Sequence, residues 1–153
     1  MEPTPPTLTY ADLIQAAHTA RIYAYVPYSR FAVGAAVLTA SGKIFAGGNI
    51  ENAAYPLCCC AERVALYSAY AAGERDIVAL AVVTDTEEVA SPCGGCRQVM
   101  IELAPSSAVI LLNVAGHEQR TTPQALRTAR LRGAAVERGH AGVARDGTRG
   151  DPQ

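Results

Sequence analysis

The 153-residue sequence has no long apolar run, no overall excess of positive charge and no evenly spaced set of cysteines. Half of its residues are hydrophobic, yet no uninterrupted stretch approaches the roughly 18 residues that a membrane-spanning helix requires. The leading segment MEPTPPTLTY lacks the basic and apolar regions of a secretory signal. We therefore expect a cytoplasmic globular protein, about one domain in size, that has no membrane partner.

Charge is distributed unevenly along the chain. Residues 1–126 carry 11 acidic and 7 basic side chains, whereas residues 127–153 carry 6 basic and 3 acidic ones. Proteins that follow a nucleic-acid backbone neutralise its phosphates with a basic surface. The acidic main body therefore indicates that nucleic acid is not a partner.

Helical and strand patterns alternate along residues 9–126. Thr9 is placed to cap a first helix, with Asp12 near its positive end, and we expect Pro27 to end that helix. Further helices are predicted from CAERVALYSAYAAGE, after SPCGGC and after Thr122. Four apolar runs predict strands: FAVGAAVLTA, KIFAGGNIE, DIVALAVVTD and SAVILLNV. This order predicts an α/β domain with helices packed on a mixed sheet.

The cysteines are clustered in a way that favours a metal site. Cys93 and Cys96 form a Cys-x-x-Cys pair at the start of one predicted helix, and Cys60 begins another. Helix N-termini stabilise thiolates, and three protein ligands leave one tetrahedral position open, which is typical of catalytic zinc. Glu62 follows Cys60 by two residues, so the first helical turn can place its carboxylate beside the metal.

The third metal ligand could be any of three adjacent cysteines: Cys58, Cys59 or Cys60. We expect Cys60, because the other two belong to the preceding loop and lie further from Glu62. One alternative is a closed structural site with Cys58 as a fourth ligand. The other alternative is that the cysteines are small buried apolar residues without a metal.

Four motifs occur in order along the chain: PYSRFAVGAAVL, GNIENAAYPL, CAERVAL and SPCGGCRQVM. Taken together they resemble those of the zinc-dependent cytidine deaminases, the small homotetrameric type that acts on free nucleosides. The resemblance covers about residues 9–126. It implies a three-layer α/β/α fold with a mixed sheet of about five strands. It also implies a homotetramer with shared active sites, one Zn²⁺ per chain, and hydrolytic deamination of cytidine and 2′-deoxycytidine to the uridines and ammonia in pyrimidine salvage.

The resemblance assigns roles to individual residues. Cys60, Cys93 and Cys96 would hold the zinc, and Glu62 would shuttle protons between a zinc-bound hydroxide and the pyrimidine. Arg63 would offset the charge of the thiolates. Asn49 and Glu51 would bind the ribose, and Phe31 would cover the face of the pyrimidine. The N–H group of Ala61 would donate to the pyrimidine O2, and Tyr55 would reach a neighbouring subunit's site.

Three other functions are alternatives to deamination of free cytidine. A deaminase of modified nucleosides needs the same zinc core, but Asn49 and Glu51 favour an ordinary ribose. A polynucleotide deaminase needs a basic groove, which the acidic body does not suggest. A zinc-stabilised binding protein would release no ammonia from free cytidine.

The segment 127–153 differs in kind from the rest of the chain. It is rich in arginine and glycine and contains no aromatic residue. Such a composition buries too little apolar surface to offset its ordering entropy. We expect an atypical tail, partly disordered and mobile from about Gly139, whose deletion over 139–153 leaves zinc content, oligomeric state and turnover within about twofold.

Overall fold

The computed structural model of the chain describes residues 8–128. The predicted tail is therefore outside the described residues except for its first two positions. Of the helices within 8–128, none is both long and apolar enough to cross a membrane. The elements are α1 (Tyr10–Ile22), β1 (Val33–Thr39), β2 (Ile44–Gly48), α2 (Ala61–Ala71), β3 (Ile77–Thr84), α3 (Gly94–Leu103), β4 (Ala108–Asn113), β5 (Glu118–Thr121) and α4 (Pro123–Thr128), with a 3₁₀ turn at Tyr55–Leu57.

The five strands form one mixed sheet in the order β2-β1-β3-β4-β5. Strand β1 is antiparallel to both β2 and β3, β3 is parallel to β4, and β5 is antiparallel to β4. Two apolar clusters lie on its opposite faces, one containing α1 and the other α2, α3 and α4. The predicted three-layer α/β/α fold is confirmed.

Alternation along the central strands produces these two faces. In β1, Ala35 and Val37 join the cluster under α2 and α3, whereas Ala36 and Leu38 join the one under α1. Because successive side chains of a strand point to opposite faces, β1 is buried on both sides. Small residues allow close approach of the helix: a Cβ atom on Gly34 would lie 2.1 Å from the carbonyl oxygen of Ala17.

The predicted N-terminal cap of α1 is confirmed, but its predicted end is wrong. The Thr9 side chain and the Asp12 carboxylate form a reciprocal capping box. The helix ends at Ile22, well before Pro27, because the following backbone is recruited by the loop after β2. The N–H of Tyr25 donates to the carbonyl of Asn49, and Tyr25 accepts in return from the N–H of Glu51.

Strand β5 had no counterpart in the apolar pattern. Its side chains are largely exposed, so the alternation that reveals a half-buried strand is missing. The turn that leads into it contains Gly116 at a φ of 90°, a conformation that favours glycine. The resemblance, and not the pattern, indicated a sheet of about five strands.

Topology brings several chain segments to one edge of the sheet. Because β1 is antiparallel to both neighbours, β2 and β3 run in the same direction, and their carboxyl ends share an edge with the start of β1. Helix α3 leaves β3 at that edge, and α2 enters β3 from the opposite edge, so both helix N-termini lie at the same place. In α/β sheets this edge is where ligands usually bind.

Candidate active site

Three cysteine sulfurs come together where the N-termini of α2 and α3 meet. Cys60 is the N-cap of α2, Cys93 is the N-cap of α3, and Cys96 lies in the first turn of α3. Their Sγ atoms all lie within 4.8 Å of one another, with 3.8 Å between those of Cys60 and Cys93. The two predicted helix starts thus place all three predicted ligands around one point.

The chemistry of this cluster suits a soft divalent cation. The contact between Cys60 and Cys93 lowers the pKa of the Cys93 thiol and raises that of Cys60, and both neighbours raise the pKa of Cys96. Zinc prefers thiolate ligands, whereas hard cations prefer oxygen. Three sulfur ligands leave a fourth position for a water or substrate atom, so the residues present fit one zinc ion.

The sulfur atoms of the other two cysteines of the run are not part of this cluster. The Sγ atom of Cys58 accepts a hydrogen bond from the N–H of Asn52 at 3.2 Å, inside the loop after β2. Cys59 exchanges two backbone hydrogen bonds of 2.9 Å with Ile50. Within residues 8–128 the metal-binding cluster therefore has three members, and the closed four-cysteine alternative has no support in the geometry.

Glu62 lies in the first turn of α2 and is only 5% exposed. Burial raises the pKa of its carboxyl above the ordinary value, and the nearby Cys93 sulfur raises it further. The interaction of the carboxyl group with the Cys96 thiol lowers the pKa in part, but burial outweighs it. A buried carboxyl group of this kind is suited to carrying a proton at the position where a metal would activate water.

Arg63 links the cluster to the preceding loop. Its Nη2 atom donates to the carbonyl of Cys58 at 3.0 Å and contacts the Cys60 sulfur at 3.7 Å. Its Nε atom is buried and has no hydrogen-bond partner among the described residues. Burial opposes the charged guanidinium, but the contact with Cys60 and the surrounding negative sulfurs outweigh it and raise the pKa of Arg63. This geometry suits the predicted charge-offsetting role.

Asn49 follows β2 directly, and its side chain braces the segment before β1. Its Oδ1 atom accepts from the N–H of Val33 at 2.8 Å, and its Nδ2 atom donates to the carbonyl of Phe31 at 2.9 Å. A carbonyl oxygen has two lone pairs, so Asn49 keeps a capacity to accept from a ligand. The residue predicted to contact ribose thus also holds Phe31 in place.

Glu51 has a similar supporting role toward the turn before Phe31. Its carboxylate accepts from the N–H groups of Tyr28 and Ser29, at 2.9 and 3.2 Å, and from the hydroxyl of Ser29. Burial alone would raise the pKa of Glu51, but these hydrogen bonds outweigh it and hold the pKa below its ordinary range. The group is therefore ionised at neutral pH.

The other predicted contact residues differ in exposure. Phe31 is half-buried and packs against the core cluster that Cys60 also contacts. Ala61 is the first residue of α2, and the N–H groups of a first helical turn have no partner within the helix. Tyr55 is 70% exposed and makes an edge-to-face contact with Tyr28 on the surface of its own chain.

Two residues that support this site were missed by sequence reasoning. The Ser29 hydroxyl bonds Glu51 and accepts from the N–H of Phe31 at 3.0 Å. Arg97 is buried beside Cys96 and bonds the loop that carries Cys93. The sequence signal for Arg97 is its position between Cys96 and Met100, two residues that are buried on α3.

Comparisons with known proteins agree with this geometry. The profile of the family described as "Cytidine and deoxycytidylate deaminase zinc-binding region" matches residues 9–112. A cytidine deaminase of Halalkalibacterium halodurans is 55% identical over 111 residues, which is 72% of this chain and 84% of that protein. One from Sporosarcina psychrophila is 51% identical over 111 residues, covering 72% and 82% of the two chains.

A solved structure shows the same fold. The crystal structure of cytidine deaminase from Burkholderia pseudomallei has a TM-score of 0.76 and 52% identity, and the match covers 78% of this chain and 96% of that one. The family profile spans more than half of the chain and includes all three cysteines of the cluster. The chain therefore belongs to the family of zinc-dependent cytidine and deoxycytidylate deaminases.

Proposed function

We propose that this enzyme hydrolyses free cytidine and 2′-deoxycytidine to uridine and 2′-deoxyuridine. The reaction breaks the bond between C4 and the amino nitrogen, forms the C4 carbonyl from a water oxygen, and releases ammonia. The observation that carries the proposal is the buried carboxyl group of Glu62, which lies two residues beyond Cys60 and interacts electrostatically with the Cys93 sulfur.

The zinc site would be formed by Cys60, Cys93 and Cys96. When bound there, zinc supplies Lewis-acid chemistry that makes a water molecule acidic enough to react near neutral pH. Glu62 takes a proton from the attacking water and delivers it to N3 of the pyrimidine, which makes C4 more electrophilic. Glu62 then takes the remaining proton from the oxygen that is now bonded to C4 and gives it to the amino group as ammonia leaves. The C4 carbonyl forms in this step, and one carboxylate serves as base and acid in turn.

Binding of the nucleoside is assigned to the segments around this point. Phe31 covers the face of the pyrimidine, and the N–H of Ala61 donates to its O2 atom. Asn49 and Glu51 bind the ribose hydroxyls, to which an amide and a carboxylate are suited. An ionised Glu51 also disfavours a phosphate dianion, which supports nucleosides over nucleotides as substrates.

We also propose a homotetramer in which each site is completed by a neighbouring copy. Support comes from exposed apolar and aromatic side chains grouped around the loop after β2: Tyr25, Tyr28, Ile50, Tyr55 and Leu57. Tyr55 would extend from this surface into the neighbour's site. Its replacement by alanine should lower turnover while leaving one zinc per chain, and light scattering reports the assembly.

A role in pyrimidine salvage in the cytoplasm is part of the same proposal, since five free cysteines suit a reducing compartment. The functional test measures ammonia release by the full-length, zinc-loaded protein from cytidine, 2′-deoxycytidine, deoxycytidylate and a cytosine-containing single-stranded oligonucleotide. We expect turnover of the two nucleosides and little of the others. Turnover of deoxycytidylate or the oligonucleotide with neither nucleoside consumed would overturn the proposed substrate class.

A further inference from the structure

The buried Arg97 connects the loop that carries Cys93 to the last helix. The residue is only 6% exposed, and its side chain donates from three nitrogen atoms. Nε bonds the carbonyl of Pro92 at 2.8 Å, and Nη2 bonds the hydroxyl of Ser91 at 2.9 Å. Nη1 bonds the carbonyl of Leu126, near the end of α4, at 2.8 Å. One guanidinium therefore joins two segments that are 34 residues apart in the sequence.

Cys93 accepts a hydrogen bond on its sulfur from the N–H of Cys96 at 3.4 Å. It is exposed and stands at the N-cap of α3, where the chain leaves an extended conformation. Its neighbour Pro92 is buried and cannot donate a backbone hydrogen bond, so the carbonyl of Pro92 is the group through which its backbone can be tied down. Arg97 makes that tie, and the N–H of Arg97 bonds the carbonyl of Cys93 at 3.0 Å.

The planar shape of the arginine side chain fixes the geometry of this connection. A guanidinium is planar and presents its donors in a fixed fork, and hydrogen bonds from a charged donor are stronger than neutral ones. Fixing two branches of the fork on Ser91 and Pro92 and the third on Leu126 therefore sets the position of the Cys93 backbone relative to α4. A lysine at this position has no such fork.

We propose that Arg97 is a positioning residue that holds the Cys93 sulfur in the metal cluster and makes helix α4 part of the support of that cluster. This inference requires only that Cys93 binds the metal. It does not depend on the nucleoside proposed above as substrate.

The test replaces Arg97 in the full-length protein and measures metal binding, independently of catalytic activity. Arg97→Gln should release zinc to a chromogenic chelator about 10–100-fold faster than the unchanged protein, as expected when a group that orients a ligand is lost. In the cobalt-substituted protein, the thiolate-to-cobalt absorption bands of Arg97→Gln should shift, because the geometry around Cys93 changes. Arg97→Lys should resemble Arg97→Gln in both measurements.

A milder change keeps the test informative if Arg97→Gln does not fold. Ser91 is exposed, and Ser91→Ala removes one acceptor of the fork without opening a cavity. It should speed zinc release measurably and by less than Arg97→Gln. Zinc release and cobalt spectra unchanged in Ser91→Ala and in a folded Arg97 variant would overturn the proposal.

The matched control removes a hydrogen bond from the other end of the same helix. Tyr70 donates its hydroxyl to the carbonyl of Leu103 at 2.7 Å, at the end of α3 remote from the sulfurs. Tyr70→Phe should lower the melting temperature but leave zinc release and the cobalt spectrum unchanged. If zinc release is accelerated equally in Tyr70→Phe and Arg97→Gln, the cause is general loosening of α3. If Arg97→Lys releases zinc as slowly as the unchanged protein, the charge alone matters. Either result contradicts the proposed role.

The outcome is separable from that of the proposed function. Absence of cytidine turnover in the unchanged protein would overturn the proposed function and leave the metal measurements intact. Unchanged zinc release in the Arg97 variants would overturn the positioning role even if cytidine is consumed.

Discussion

The Nη2 atom of Arg63 lies 3.7 Å from the sulfur of Cys60 and also donates to the carbonyl of Cys58 at 3.0 Å. The second bond fixes the guanidinium, and the first directs its charge at a metal ligand. Three thiolates carry more negative charge than one zinc ion neutralises, which weakens the ion as a Lewis acid. Arg63 is in the position from which this excess can be reduced.

Replacing Arg63 by glutamine should therefore lower turnover of cytidine by about tenfold, within the range seen when groups that support a metal ligand are lost. The measurement is kcat on protein whose zinc content per chain has been determined. Arg75→Gln is the control, since Arg75 packs on the ring of Tyr70 at the opposite edge of the sheet. Normal kcat in the Arg63 variant would show that its charge is not felt at the metal.

The three adjacent cysteines should separate cleanly by zinc content. Cys60→Ser should lose zinc or hold it weakly, because its sulfur belongs to the cluster. Cys58→Ser and Cys59→Ser should each keep one zinc per chain, because Cys58 bonds Asn52 and Cys59 is held through its backbone. Atomic absorption after dialysis measures the number of zinc ions per chain. Loss of zinc from the Cys58 variant would restore the four-cysteine site.

Asn49→Ala should affect both stability and binding. It removes the brace between the Phe31 carbonyl and the Val33 N–H, so we expect a loss of about 1–3 kcal/mol in the free energy of unfolding. Displacement of Phe31 and loss of a ribose contact should raise KM for cytidine. Asn52→Ala removes a single exposed bond to Ala54 and serves as the control. If the KM of Asn49→Ala equals that of the unchanged enzyme, Asn49 does not contribute to substrate binding.

Glu51 should give a pH-dependent contribution to stability. Its folded-state pKa is below the ordinary value of 4.5, so its stabilisation is fully present above about pH 4.5 and is lost as pH falls through the lower folded-state pKa. Urea unfolding of the unchanged protein and Glu51→Gln should differ most at about pH 7 and least at about pH 3. A difference of equal size at both pH values would contradict ionisation as its source.

The metal cluster was predictable because it depends on local rules. Cys60 begins an alanine-rich helical run, and Cys93 and Cys96 fall at the turn before the next helix. The crossover topology then brings both helix starts to one edge of the sheet. The buried strands were predictable for a related reason, because continuous apolar runs of that length occur in central strands.

What sequence reasoning missed depends on contacts between distant segments. Helix α1 ends early because the backbone of Tyr25 pairs with the loop after β2, which no local pattern encodes. The bracing bonds of Asn49 and Glu51 and the three bonds of Arg97 likewise join segments that come together only in the fold. A polar side chain in a loop or helix does not reveal its partners.

The central claim is that Glu62 carries protons at a zinc site that deaminates cytidine. Its most direct test compares ammonia release and zinc content in the unchanged protein, in Glu62→Ala and in Glu102→Ala, an exposed carboxylate on α3. We predict that Glu62→Ala keeps its zinc and its fold but loses a factor of about 10²–10⁴ in turnover, while Glu102→Ala is unaffected. Retention of more than about a tenth of normal turnover by zinc-loaded Glu62→Ala would contradict the account, because a general acid–base residue contributes far more.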